Sequence, residues 1–298
     1  VWHPAGGPAT PVSYAYLSAV YDRLLGLNGD LSIRPQLATS YSLSSDRRSL
    51  TLKLRTDVVF HDGTKFDASV VVANFNRVKA LNPPTVTTAW PLFAAVTAVD
   101  PTTVRYDFTA DGTNVPSLLS SGTSHVLSMQ VSPAAFGDAA KLATTPAGSG
   151  PFKLSSQLQD RAIFEKASSY WDTKLLGRLP KTLEYIGITD DNARVSALQS
   201  GQLDAVTLLG GLPNIESIAD GKNIRSFLAK SDRTFNLFFN YKNPVLANVE
   251  VRKALSIGTD RVSLSKVVSK GACSGPAEQI FAPGSYGYNP SVKLPKFN

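Results

Sequence analysis

Residues 50 to 78 constrain the fold more than any other part of the chain. LTLKLR (50–55) alternates strictly, which puts Leu50, Leu52 and Leu54 on one face of a strand. A second short strand, VVF, leads into His61-Asp62-Gly63-Thr64. Asp-Gly supplies the positive φ that a reversal needs. Asp67 then stands where a helix N-cap belongs, and Val71, Phe75 and Val78 follow at i, i+4 and i+7 as one apolar stripe. The stretch predicts strand, turn and capped helix. The same pattern assigns His61 and Asp62 to a structural turn. A catalytic pair would need the carboxylate to face the ring, and neighbours in a tight turn do not arrange that.

The rest of the chain repeats this alternation of types. VSYAYLSAVYDRLL (12–25) has helical spacing, with Gly26 and Asn28-Gly29-Asp30 as its stop. TVRYDF (103–108), RAIFEK (161–166), TLEYIGI (182–188), LDAVTLL and TFNLFFN (234–240) read as strands. Residues 133–142, 190–201, VEVRKALSI and 260–270 read as helices, the second with acids at its start and Gly201 as its stop. Alternating strands and helices place the chain in the α/β class. Its 298 residues suffice for one large domain or two ordinary ones.

Several chemistries find no support. A single cysteine, Cys273, excludes an internal disulfide and a CxxC metal site, and His3, His61 and His125 are too far apart for metalloprotease spacing. No run of apolar residues is long enough to span a membrane. The formal charge of +7 comes from scattered Lys and Arg without a dense basic run, so nucleic acid is not an expected partner. The start, VWHPAGGPATP, is not an intact signal peptide. PAGSGPF has Pro151 and a strand where a dinucleotide motif would open a helix, and no P-loop exists. Gly271-Ala272-Cys273-Ser274-Gly275 matches a cysteine nucleophile elbow in letters only. A basic helix precedes it and Pro276 follows, where an elbow needs strand then helix. Cys273 is read as a loop cysteine or as one whose disulfide partner lies outside this chain.

Four blocks, taken in order, resemble one family. They are VYDRLLGLNGDLSIRPQLATSYSLSSDRRSLTLKLRTDVVFHDGTKFDASVVVANFNR, then GSGPFKL, then SSYWDTKLLGRLPKTLEYIGITDDNARVSALQSGQLDAV. TFNLFFNYKNPVLANVEVRKALSIGTDRVSL closes the series, followed by APGSYGYNP. Together they are similar to the extracellular solute-binding proteins of family 5, the dipeptide, oligopeptide and nickel receptors of ABC importers. The resemblance implies the periplasmic-binding-protein-like fold with two lobes, of the large peptide-binding class (type II). Residues 1–27 and 140–240 would form the core of the first lobe, 28–139 an inserted subdomain, and 241–298 the beginning of the second lobe. Family members continue beyond the APGSYGYNP block, so a partial chain is expected.

The resemblance further implies a receptor without catalysis or cofactor. It would hold a peptide, another small organic ligand or a metal chelate in a cleft between lobes and present it to a membrane permease. An extracytoplasmic location, with or without a lipid anchor, and a monomeric state go with it. By position in the family, Tyr14, Trp90, His125, Met129, Phe239, Asn240 and Tyr241 are the expected ligand contacts; Trp90 lies in TTAWPLF, where nickel-chelate binders have a similar segment. The acidic residue with which peptide binders hold an amino terminus would lie beyond Asn298, so the ligand class stays open. Two alternatives differ in kind: a hydrolase using Cys273 or a His61-centred site, and a ligand-sensing domain of a regulator.

Overall fold

The computed structural model describes residues 4, 11–121, 124–208, 224–227, 234, 236–269, 275–281, 283 and 287–298. The chain divides into two compact units, Val1–Asn28 with Ser32–Gly187, and Gly29–Leu31 with Ile188–Asn298. This division falls earlier than the crossover expected at Asn240–Tyr241.

The first unit begins with helix α1 (Pro11–Val20) and a two-stranded ribbon, β1 (Leu25–Leu27) and β2 (Ile33–Pro35). The helix is shorter than its periodicity predicts. Tyr21 N still bonds to the Leu17 carbonyl, but residues 22–24 leave the helix for extended pairing on both sides. Leu24 N donates to the Ser128 carbonyl and Gln130 N to the Asp22 carbonyl. Leu37 N and Ala38 N donate to the carbonyls of Arg23 and Leu24. Leu25 thus opens a strand, and Gly26 lies within it.

An antiparallel sheet of four strands follows, in the order β3-β4-β6-β5. Its strands are β3 (Ala38–Leu43), β4 (Ser49–Leu54), β5 (Phe93–Asp100) and β6 (Thr103–Phe108). The alternation in LTLKLR works as expected. Leu50 pairs with Tyr106 and Leu52 with Val104, and all four side chains are buried. Helix α2 (Ala68–Leu81) covers this face. Asp67 caps it, its Oδ1 accepting from Ser69 N at 2.8 Å and Val70 N at 3.2 Å. Phe75 meets Phe93 and Tyr106 edge-on, with ring centroids 5.2 and 6.0 Å apart. VVF makes only an isolated bridge, Val59 to Lys65, instead of a strand.

Helix α3 (Val115–Ser120) leads toward two short 3-10 turns, His125–Leu127 and Pro133–Ala135, and helix α4 (Ala139–Thr144). The single helix predicted over 133–142 is therefore broken in two. A three-stranded antiparallel sheet, β7 (Phe152–Gln157), β8 (Arg161–Lys166) and β9 (Thr182–Ile186), completes the unit, with α5 (Thr173–Arg178) between β8 and β9.

The buried apolar residues form two clusters. One gathers residues between Leu24 and Leu127 around the four-stranded sheet; the other joins α1, Met129 and Val131 to Phe152 and Phe164 of the three-stranded sheet. Asn74 of α2 stitches them. Its Nδ2 donates to the Val131 carbonyl at 2.8 Å, and Val131 N donates to its Oδ1 at 3.0 Å.

The second unit contains α6 (Asp191–Gln199), α7 (Pro244–Ala247), α8 (Val249–Ile257) and α9 (Arg261–Ser269). Asp190 caps α6, and Gly201 takes φ +78° just beyond it. The strands expected at 203–209 and 234–240 are absent among the described residues of those stretches. Leu237 and Phe238 are 84% and 83% exposed.

Candidate functional site

Two neighbouring residues just beyond α1, Asp22 and Arg23, organise two environments, the second of which holds Tyr14. The loop Gly148-Ser149-Gly150 packs against them. Gly150 N donates to the Val20 carbonyl at 2.8 Å, and a Cβ on Gly148 would collide with that same carbonyl oxygen. Only glycine lets the two backbones approach this closely. His61 fastens the loop from its other side, its N–H reaching the Gly148 carbonyl at 2.7 Å and its Nε2 donating to the Gly150 carbonyl at 2.8 Å. Burial holds the imidazole pKa below its usual value, so it is neutral at physiological pH. Asp62 bonds to Thr64 N at 3.0 Å, and Gly63 has φ +89°. The turn reading of His61-Asp62 therefore holds, and the ring is committed to architecture.

Asp22 is 4% exposed and fully engaged. Its Oδ1 accepts from the Tyr170 hydroxyl at 2.8 Å; its Oδ2 accepts from Trp171 Nε1 at 3.1 Å and Ser149 Oγ at 3.0 Å. Burial pushes its pKa up to about 6, against the lowering effect of these hydrogen bonds and of Arg34. Arg55 lies 4.4 Å from the Trp171 ring centroid and grips Asp57 with two nitrogens, at 2.8 and 2.6 Å. A pocket of about 160 Å³ opens here, lined by Asp57, Val58, Val59, Ser149, Ser169, Tyr170 and Trp171. It is smaller than the roughly 300 Å³ at which organic-ligand sites begin. Asp22 is thus a clamp that joins three chain segments. Sequence reasoning missed it, because a lone Asp in YDRLL carries no local sign of burial.

Arg23 presents the other side. Its guanidinium carbon lies 4.7 Å from the centroid of the Tyr14 ring, and Nη1 donates to the Ser120 carbonyl at 3.0 Å. Tyr14 meets the His125 ring edge-on at 5.9 Å. Met129 N bonds to the His125 carbonyl, and Met129 forms a β-bridge with Arg23. The structure therefore brings together three of the seven expected contact residues, Tyr14, His125 and Met129. They differ in access: Tyr14 is half-buried, whereas His125 and Met129 are each 1% exposed and stand behind it. Trp90 belongs to a different environment. It packs edge-on against Phe75 at 5.6 Å and gives its Nε1 proton to Asn82 Oδ1 at 2.8 Å. Phe239, Asn240 and Tyr241 belong to the second unit. Phe239 is half-buried, Asn240 is exposed, and Tyr241 is 65% exposed with Arg252 lying 4.8 Å from its ring centroid.

Among the described residues no cluster of three His, Cys, Asp or Glu could hold a metal. Cys273 lies outside the described residues. No described helix is long and apolar enough to cross a membrane.

The model of the bacterial extracellular solute-binding proteins, family 5 (middle region), matches residues 32–298. The chain belongs to this family. Family 5 members are solute-binding receptors that act outside the cytoplasm, and that is the setting of this chain. It is 29% identical over 297 residues to the glutathione-binding protein GsiB of Escherichia coli K12, a match covering 95% of this chain and 54% of GsiB. The chain thus spans about half the length of the curated relatives it matches. Its fold is that of the periplasmic binding protein DppA of Helicobacter pylori, solved with the peptide STSA. The TM-score is 0.74 and the identity 23%, over 100% of this chain and 61% of DppA. NikA of Brucella suis, solved with Fe(III)-EDTA, is similar at a TM-score of 0.69 and 23% identity, over 100% of this chain and 59% of NikA.

Proposed function

We propose that this family 5 chain works as the ligand-capturing part of an ABC importer's receptor and makes or breaks no covalent bond. Membership in the family over most of the chain carries the reading. The relatives named above bind glutathione, a peptide or a metal chelate, and a peptide-like or chelate ligand is proposed here by that likeness. The ligand would lie between two lobes, the first with residues 28–139 inserted into a core of 1–27 and 140–240, the second beginning near Asn240–Tyr241. A ligand that touches both lobes favours the closed form by its differential affinity for it; one that grips a single lobe equally in both forms shifts nothing. The closed form would then dock on a membrane permease as a monomer, with or without a lipid anchor.

Of the seven expected contacts, Tyr14, Trp90, Phe239, Asn240 and Tyr241 keep accessible surface, and Tyr14, Phe239, Asn240 and Tyr241 are proposed to touch ligand directly, Trp90 being taken up by Phe75 and Asn82. His125 and Met129 would brace Tyr14 from behind, and Trp90 would brace the inserted subdomain. A native mass spectrum of protein purified without added ligand tests the reading: a co-purified small molecule that departs on denaturation is the expected result. Thiol alkylation at Cys273 should leave its affinity unchanged. Catalytic turnover of that molecule by the pure protein would refute the proposal.

A further inference from the structure

The turn between β1 and β2 carries Asn28-Gly29, the one Asn-Gly step in the sequence. In such a step the glycine nitrogen and the asparagine side-chain carbonyl carbon are the two ends of a five-membered ring. Three conditions govern whether that ring closes in a folded chain. Water must reach the asparagine, the glycine N–H must not be spent in a hydrogen bond, and nothing must crowd the attacking nitrogen.

Asn28-Gly29 meets all three. Both residues are exposed, and the turn lies outside the ribbon's ladder, which closes at the pair Leu27 and Ile33. Gly29 N makes no hydrogen bond among the described residues. Glycine has no Cβ of its own, and a Cβ built there would have no heavy atom within 4 Å. The Asn28 backbone is held, its N donating to the Ser32 carbonyl at 2.8 Å. Its side chain makes one hydrogen bond, from Nδ2 to Ser32 Oγ at 2.9 Å, which leaves Cγ open to attack.

The Asp-Gly steps offer related chemistry, and at the two that lie among the described residues the structure withdraws it. Gly63 N donates to the Phe60 carbonyl and Gly112 N to the Arg47 carbonyl, each at 2.9 Å. Asp62 Oδ1 accepts from Thr64 N at 3.0 Å. Asp111 accepts from Thr113 N at 2.9 Å and pairs with Arg47 at 3.3 Å. A nitrogen whose proton is held by a carbonyl is a poor nucleophile, and a carboxylate is a poorer electrophile than an amide.

We propose that Asn28 is a site of spontaneous covalent modification, deamidation through a succinimide. Gly29 N bonds to Asn28 Cγ, the Cγ–Nδ2 bond breaks, and Nδ2 departs as ammonia with the proton of the Gly29 N–H. Water then opens the ring at either carbonyl and leaves aspartate or isoaspartate at position 28. Either product adds a negative charge next to Gly29, and isoaspartate also lengthens the turn's backbone by one methylene. The modification goes beyond the receptor reading and does not depend on it.

Peptide mapping by mass spectrometry tests this on the intact chain, incubated in mildly alkaline buffer at physiological temperature, natively and in urea. In the native chain the peptide spanning 28–29 should gain one dalton and separate into two products. Peptides spanning 62–63 and 111–112 should show no isoaspartate natively and should form it in urea, where their hydrogen bonds are lost. Gly29→Ala fits the open space of the folded turn, as a thermal melt will confirm, and should slow the gain by about tenfold or more, since its methyl crowds the attacking nitrogen. Three results would overturn the proposal: no gain at position 28 in the native chain while the urea-unfolded chain shows it, a Gly29→Ala rate equal to that of wild type, or native isoaspartate at 62 or 111 arising as fast as at 28.

Discussion

Replacing Asp22 with asparagine should flatten the response of stability to pH between about 4 and 6. Burial raises the carboxyl pKa from 3.8 to about 6 in the folded chain. A raised folded pKa means that the native state binds the proton more tightly than the unfolded state. The contribution is therefore fully present below pH 3.8, and it is lost as pH climbs through about 6. The whole loss amounts to about 3 kcal/mol. Asparagine keeps the shape without the charge. Its Oδ1 can face Trp171 Nε1 and Ser149 Oγ, and its amide can donate to the Tyr170 hydroxyl oxygen, since that hydroxyl is free to rotate. Leucine offers none of these acceptors. Trp171 Nε1 has no acceptor role to switch to, so Asp22→Leu should be less stable than Asp22→Asn by about 2–4 kcal/mol. Urea unfolding followed by tryptophan fluorescence at pH 4, 5, 6 and 7.5 reads both effects. Taking the difference between wild type and Asp22→Asn isolates the carboxyl from other groups, notably His61, whose lowered pKa acts with the opposite sign. A wild-type pH slope matching that of Asp22→Asn would refute the reasoning.

Further outcomes follow from the same geometry. Asn74→Ala removes an amide paired in both directions with the Val131 backbone and should cost about 2–4 kcal/mol in urea unfolding. Gly148→Ala pushes a methyl into the Val20 carbonyl; because both partners are backbone, a loss of about 2 kcal/mol or more in a thermal melt is expected. Trp90→Phe keeps most ring packing but gives up the bond to Asn82. It should cost about 1 kcal/mol of stability and leave the affinity for a co-purified ligand unchanged by calorimetry, whereas Tyr14→Ala should lower that affinity.

Local signals read well wherever the chemistry is local. The Asp67 cap, the acids that open the helix at 190, the Asp62-Gly63 turn and the alternation over 50–55 and 103–108 concern residues within a few positions of each other, and the structure realises each, the first strand as Ser49–Leu54. The helix over 12–25 stops at Val20 for a distant reason. Residues 22–24 are drawn into extended pairing by partners at 37–38 and 128–130. TFNLFFN has strand composition, yet a strand needs a ladder partner, and none of 236–240 finds one among the described residues. Within the candidate site, family position names Tyr14, His125 and Met129 but not Asp22 or Arg23. The importance of these two lies in what surrounds them after folding.

By itself the sequence determined the class of fold and the capped and paired elements, because propensity, capping and periodicity act over a few residues, while the family came from the likeness of whole ordered blocks to family 5. Only the tertiary structure decided which side chains are shut away and which are left to meet a guest. Burial and charge balance are set by segments far apart in the chain, 149 positions between Asp22 and Trp171, and no local pattern encodes them.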